Sequence, residues 1–175
     1  MQGAEAAVSS HLARSLLPHF AVGGRPVSST IYGTVSVVAV IVVGAHEEAS
    51  VGVVLPFAVV SMVVIWGVHV YASALAAVGV TGLPWRRAMS RALHDELGVL
   101  EGAAAPLAVL VLGALGILDD RTSIWWAIWC GVVLLTLVPL VWMRRSGSAW
   151  PSAVLASMVS GFFGLLLVGL KVIVH

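Results

Sequence analysis

Long apolar stretches separated by short polar segments form the main pattern along the chain. A helix crosses a bilayer with about 20 mostly apolar residues, and five stretches are roughly that long or longer. The alternation over about ten residues that is typical of a membrane barrel is absent from the sequence. The pattern predicts an all-α fold, a polytopic membrane helical bundle with five transmembrane helices. The stretches are 27–45, 51–80, 98–118, 123–143 and 152–174.

Residues 1–26 come before the first apolar stretch and follow another pattern. Leu12 and Leu16 would face lipid from one side of a short helix, while Arg14 would face water from the other side. We therefore expect 1–26 to be a cytoplasmic amphipathic N-terminal segment. Residues 27–175 would then form the five-helix transmembrane domain.

The second apolar stretch is longer than one crossing requires. At about 1.5 Å per residue, residues 51–80 would exceed a hydrocarbon core of about 30 Å. Pro84 can start the next helix, because proline is favoured in the first helical turn. Two helices that protrude together would form a short cytoplasmic helical arm near 72–98.

Composition supports a lipid environment. The chain is 60% hydrophobic and only 10% charged, whereas soluble domains carry about 25% charged residues. The formal net charge of +1 argues against nucleic acid as a partner, since nucleic acid requires a basic face. Cys130 is the single cysteine, which excludes an internal disulfide.

The basic residues are distributed unevenly about the predicted spans. Cationic side chains concentrate on the cytoplasmic side of membrane proteins. With five spans, seven arginines fall on the side of the N-terminus, and only Arg121 and Lys171 fall on the other side. This asymmetry predicts a cytoplasmic N-terminus and a C-terminus outside. The expected location is the plasma (cytoplasmic) membrane, as a multi-pass protein. The seven arginines on the side of the N-terminus are Arg14, Arg25, Arg86, Arg87, Arg91, Arg144 and Arg145.

Polar side chains from three spans are predicted to lie at one depth near the cytoplasmic side. Tyr32 and Ser36 share a face of span one, and His69 and Ser73 share a face of span two. Glu101 enters span three at a similar depth. Such groups are costly in lipid and usually face a bundle interior or a water-filled cavity. A transport pocket is one interpretation. Alternatively, Glu101 lies in the headgroup region, where exposure costs little, and His69 only satisfies its hydrogen bonds through Tyr32 or a backbone carbonyl.

The same region contains the residues that could hold a divalent cation, since imidazole and carboxylate oxygen are both metal ligands. They are His69, Glu101, Asp95 and Glu96. A proton relay through His69 is an equal alternative, because imidazole titrates near neutral pH. Asp95 and Glu96 could also lie on a solvated ion-pair face, with Arg91 and Asp95 paired at i, i+4.

Small residues recur at four-residue and three-residue spacing in span five, at Ser157, Gly161 and Gly164. Such residues let helix backbones approach closely. We expect this face to form a helix–helix or subunit interface, in a homodimer or other homo-oligomer.

Two resemblances rest on particular stretches. "IYGTVSVVAV", "HVYASAL", "VLEGAAAPLAVLVLGALG" and "GFFGLLLVGLKVIVH" resemble small uncharacterised integral membrane proteins of actinobacteria. The layout is similar to the vacuolar iron transporter family. That likeness implies a dimer with a cytoplasmic extension after span two, exchanging divalent iron or manganese for protons. This chain has Tyr32-Gly33 where that family has an acidic residue beside glycine. It has His69-Val70-Tyr71 at the family's Gly-Glu-Tyr-like end of span two.

Sequence motifs favour no catalytic activity, because no nucleophile motif, phosphate-binding loop or dinucleotide fingerprint is present. We therefore expect a non-enzyme. The leading hypothesis is a small cation or proton-coupled transporter or channel. The alternative is a non-catalytic membrane subunit or lipid-binding scaffold of a larger complex.

Overall fold

The computed structural model describes residues 21–22, 25–45 and 50–174. Most of the predicted N-terminal amphipathic segment, residues 1–20, lies outside the described residues. A short antiparallel pair that the sequence does not predict, β1 (Ala21–Val22) and β2 (Arg25–Pro26), comes before the helices. The helices of the described chain are α1 (Val27–Gly44), α2 (Val51–Thr81), α3 (Trp85–Asp95), α4 (Leu97–Ala114), α5 (Asp120–Arg145) and α6 (Trp150–Val174).

Five helical units of the described chain are long and apolar enough to cross a membrane. They are α1, α2, the nearly continuous pair α3 and α4, α5, and α6. The predicted all-α bundle with five spanning helices is confirmed. Since each of the five spanning units reverses the direction of the one before it, the start of the α3–α4 unit and the end of α5 lie at the same end of the bundle. Arg86, Arg87, Arg91, Arg144 and Arg145 lie there, and we call it the arginine-rich end.

Helix α1 is the centre of the bundle and contacts α2, α4, α5 and α6. Its residues Val37, Val38 and Ile41 are completely buried. Around them pack fully buried side chains from the neighbouring helices, among them Met62, Leu110 and Ile128. The central position of α1 follows from its surface, which combines small and β-branched residues on several sides.

Helices α1 and α4 approach so closely that only glycine fits at their crossing. A Cβ atom on Gly33 would collide with the backbone carbonyl of Val99, and one on Gly102 with the carbonyl of Thr30. Gly98 and Gly102 form a GxxxG spacing, which allows backbone contact between membrane helices. Thr34 Oγ1 strengthens the crossing by donating to the Gly102 carbonyl at 3.1 Å.

The small-residue face of α6 packs inside the chain. Ser157 Oγ donates to the Thr136 carbonyl of α5 at 2.6 Å. A Cβ on Gly161 would lie 2.8 Å from Thr136 Oγ1, and Gly164 lies against Leu135. The sequence predicts either a helix–helix or a subunit interface for this face. In the structure the face packs against α5 within the chain, so it is not accessible to a second subunit.

Helices α2 and α3 form a hairpin at the arginine-rich end. Helix α2 ends at Gly82, whose φ of 65° suits glycine and whose N–H donates to the Val78 carbonyl at 3.0 Å. Helix α3 begins directly after Pro84, and its Arg91 pairs with Asp95 at 3.4 Å. Buried apolar residues hold the two helices together: Val70, Ala74, Ala88 and Ala92.

Candidate functional site

Glu96 occupies the one-residue break between α3 and α4. Its φ and ψ of −86° and 1° leave the helical region, although its N–H still donates to the Ala92 carbonyl at 2.9 Å. Its own carbonyl accepts from the Val99 N–H at 3.1 Å. The residue is only 8% exposed. The carboxylate lies in the protein interior, on the same helical face as the buried Ala92 one turn before it and the buried Val99 one turn after it.

Two hydroxyl groups from different helices hold the Glu96 carboxylate. Ser29 Oγ of α1 donates to Oε2 at 2.7 Å, and Ser73 Oγ of α2 donates to Oε1 at 2.6 Å. Within the described residues, no cationic side chain forms an ion pair with this carboxylate. Buried carboxylates are usually paired with a cation or a metal, because ionised groups are costly to bury. We call Ser29, Ser73 and Glu96 the carboxylate junction.

Tight packing produces this arrangement. The glycine crossing brings the start of α4 against the start of α1, where a Cβ on Gly98 would lie 3.0 Å from the Ser29 Cβ. The α2–α3 hairpin brings Ser73 to the same place. The carboxylate junction thus joins three parts of the chain that are distant in sequence.

An aromatic pair lies next to the carboxylate junction. The rings of Tyr32 and His69 are 4.3 Å apart between centroids and are inclined by 34°. Tyr32 follows Ser29 by one turn of α1, and His69 precedes Ser73 by one turn of α2. Because α1 leads away from the arginine-rich end and α2 leads toward it, the pair lies one turn further from that end, about 5 Å along the axis. The Tyr32 side of the pair is at the bundle surface, since this residue is 45% exposed.

Trp66 extends the polar face of α2 by another turn. Its indole Nε1 is buried and has no hydrogen-bond partner among the described residues. Buried indole N–H groups usually have an acceptor, so Trp66 is an exception within the described chain. Trp66, His69 and Ser73 follow one another at helical spacing and form a polar line that leads to Glu96.

The structure brings together some of the residues predicted to form a polar pocket and leaves others apart. Tyr32 and His69 lie in contact, as the predicted pocket requires. Ser73 donates a hydrogen bond to the carboxylate of Glu96 and not to that of Glu101. Glu101 is exposed on the surface of α4. Depth along the span favours Glu101, whereas Glu96 continues the buried helical face of Ala88 and Ala92 and therefore faces the interior. Ser36 is half-buried and, within the described chain, hydrogen-bonds to neither His69 nor Glu96.

The predicted divalent-cation set does not assemble. Among the described residues, no group of three or more His, Cys, Asp or Glu side chains could hold a metal ion. Asp95 pairs with Arg91, while Glu101 is exposed. The prediction that Glu96 lies on a solvated face is wrong, since Ser29 and Ser73 cover it.

Sequence reasoning also missed the features that build the site. Gly33, Gly98 and Gly102 were not recognised as a crossing, although "GVLEG" at 98–102 and the four-residue spacing of Ser29 and Gly33 carry that signal. No sequence signal identifies the unpaired indole of Trp66, because its isolation depends on the neighbouring helices.

Together these features define the class of protein: a multi-pass α-helical integral membrane protein with a buried carboxylate at a helix break. Comparison of the chain with protein-family models, with curated proteins and with solved structures gives no match. The chemistry of the carboxylate junction is therefore the basis for assigning a function.

Proposed function

We propose that this protein is a small proton-coupled cation transporter in which Glu96 binds the proton. The observation that carries the proposal is the burial of its carboxylate between Ser29 and Ser73 without a cationic partner among the described residues. Ionisable groups inside membrane proteins are costly and commonly mark ion pathways and proton relays. A purely structural role would be served at lower cost by an uncharged residue.

The two hydroxyl groups suit both protonation states of Glu96. An ionised carboxylate accepts from Ser29 and Ser73, as the geometry has it. A protonated carboxyl has one O–H to donate, and a serine hydroxyl can rotate to accept it. Proton uptake at Glu96 therefore requires no large rearrangement of its partners.

Tyr32, His69 and Trp66 supply a route between the carboxylate junction and the middle of the bundle. Imidazole and phenol groups can both donate and accept a proton. The ring contact of Tyr32 with His69 keeps two such groups together one turn from Glu96. The unpaired Trp66 Nε1, one turn deeper, favours a bound water there as the next member of the relay.

Glu96 also connects the parts of the bundle that would have to move. Its side chain joins α1 and α2 to the break that begins α4. A cation that displaces the proton from the carboxylate would change these hydrogen bonds and with them the relative stability of two helix arrangements. Competition of one cation and one proton for Glu96 would couple their movements.

A single carboxylate suits a monovalent cation better than a tightly coordinated divalent one.

Orientation and assembly form part of this proposal. Arginines favour placing the arginine-rich end, and the carboxylate junction near it, on the cytoplasmic side of the plasma membrane. The protein would act as a homodimer or other homo-oligomer. Because α6 uses Ser157, Gly161 and Gly164 against α5, a subunit contact would use another surface.

Reconstituted liposomes provide the test. A pH-sensitive dye inside the vesicles reports proton movement while gradients of Na⁺, K⁺, Mg²⁺ or Mn²⁺ are imposed in turn. Wild type should drive proton counterflow with at least one cation, and Glu96→Gln should abolish it. Glu101→Gln is the matched control, because it makes the same charge change on the neighbouring helix α4 at an exposed position. Proton counterflow equal to that of empty vesicles for every cation, or unchanged in Glu96→Gln, would reject transport through Glu96.

A non-transporting membrane subunit is the second candidate. The observation that favours it is the wide exposed apolar surface of α2, which includes Val53, Val60, Val64 and Val68. Lipid or another membrane protein could cover that surface. Purification in a mild detergent distinguishes the candidates, since a stoichiometric second protein would favour the subunit and a self-contained oligomer would favour transport.

A further inference from the structure

A basic surface on α3 lies outside the carboxylate junction. Arg86 and Arg87 are exposed, and no acidic side chain in the described part of the chain pairs with them. Trp85, directly before them, is 44% exposed. The opposite side of α3 is fixed, because Ala88 and Ala92 are buried against α2. We call Trp85, Arg86 and Arg87 the basic patch.

Aromatic contacts near the basic patch are of the kind found at the level of lipid headgroups. The Trp85 ring packs edge-on against Tyr71, with 6.1 Å between centroids. Tyr71 lies two residues before Ser73, close to the level of the carboxylate junction. At the same end of the bundle, Arg144 lies 5.2 Å from the ring centre of Trp150. Tryptophan and tyrosine favour the headgroup layer, so these contacts favour a position of the start of α3 beside that layer.

Helix stability does not account for the two arginines. The first turn of a helix is the positive end of its dipole, where cations are unfavourable and acidic residues are favourable. Helix α3 has no acidic residue in that turn and places Arg86 and Arg87 there. Neither side chain contributes to packing, since both are exposed. Their positive charge is therefore available to a partner outside the helix.

We propose that the basic patch binds the headgroups of anionic phospholipids in the leaflet at the arginine-rich end. A guanidinium group matches a phosphate with two parallel hydrogen bonds. The exposed Trp85 ring supplies the apolar contact that a lipid offers and a free phosphate ion does not. A soluble acidic protein would leave that ring in water. This inference does not depend on transport, because it concerns a different surface from Glu96.

The test uses the purified full chain in detergent, with native mass spectrometry to count bound lipids. Apparent dissociation constants are measured for phosphatidylglycerol and for phosphatidylcholine of the same chain length. Wild type should prefer phosphatidylglycerol. The double variant Arg86→Gln with Arg87→Gln should bind phosphatidylglycerol about 25-fold more weakly at low salt. Each arginine near an anionic surface contributes about a fivefold increase in affinity, and two such factors multiply.

The matched control is Arg144→Gln with Arg145→Gln, which removes the same charge at the same end of the bundle. It should retain most of the preference for phosphatidylglycerol, because Arg144 is already engaged within the chain, over the Trp150 ring and with the Ser148 carbonyl at 3.4 Å. Equal weakening in the two double variants would show a response to net charge alone and would overturn the proposal. Absence of a lipid preference in wild type would do the same. Complete displacement of the lipid by inorganic phosphate would identify a free-anion site and reject the membrane assignment.

Discussion

Ser73 Oγ donates to Glu96 Oε1 at 2.6 Å, which joins α2 to the beginning of α4. The bond adds a polar contact to the apolar contacts that hold α2 against α3. It supplies one of the two hydrogen-bond donors of the Glu96 carboxylate. Ser29 completes the arrangement from α1 at 2.7 Å. Stability of the arginine-rich end and the chemistry of Glu96 therefore depend on the same two hydrogen bonds.

Ser73→Ala should destabilise the folded chain by about 1–2 kcal/mol, because a buried carboxylate oxygen loses its donor. Ser36→Ala is the control on a half-buried serine that makes no hydrogen bond to Glu96, and it should change little. Reversible unfolding in mixed detergent measures both. Similar losses in the two variants would mean that the hydrogen bond to Glu96 contributes nothing specific.

Gly33→Ala should destabilise the bundle by about 1–3 kcal/mol, since the added Cβ would meet the backbone of Val99 and the helices would have to separate. Gly67→Ala on α2 should leave stability unchanged or slightly raised, because its Cβ would meet nothing within 4 Å. Thermal unfolding of the two variants in one detergent measures the difference. An equally stable Gly33→Ala protein would contradict the close crossing of α1 and α4.

Tyr32 variants separate packing from proton relay. Tyr32→Phe keeps a ring against His69 and should retain wild-type stability, whereas Tyr32→Ala should lose about 1 kcal/mol with the ring contact. If the hydroxyl group takes part in the relay, Tyr32→Phe should slow proton counterflow in liposomes although its unfolding is normal. Unchanged flux in Tyr32→Phe would remove the phenol from the route.

Asp119 at the opposite end of the bundle gives a prediction about pH. Hydrogen bonds from the Thr122 side chain, and from its backbone N–H at 3.0 Å, lower the pKa of the Asp119 carboxyl from its ordinary value of 3.8. A lowered pKa means that the ionised cap stabilises the fold at neutral pH and that this contribution is lost as the pH falls through the folded-state pKa.

Asp119→Ala should therefore lower the unfolding temperature at pH 7, because α5 loses its N-cap. Asp119→Asn can still accept from Thr122 and should stay close to wild type at neutral pH. The difference in unfolding temperature between wild type and Asp119→Ala should shrink below about pH 4, while that between Asp119→Asn and Asp119→Ala should not. A pH-independent difference for wild type would show that the charge of Asp119 has no part in capping.

The membrane class and the number of spans follow from the sequence. Apolar stretches of about 20 residues can satisfy their backbone groups in lipid only as helices, so hydropathy along the chain is sufficient. The polar face of α2 was equally predictable, because His69 and Ser73 are one turn apart on any helix. These are properties of single helices and need no knowledge of the neighbours.

Only the tertiary structure decided which carboxylate belongs to the site. Glu96 and Glu101 are both near the start of span three, and distance along the chain favours Glu101. The crossing of Gly33 with Gly98 and Gly102 brings α1 to the break in the third span, and the hairpin brings α2 there as well. Burial of a side chain depends on what packs against it in three dimensions. Residues far apart in sequence supply that packing, and only their positions show which face of the third span meets α1 and α2.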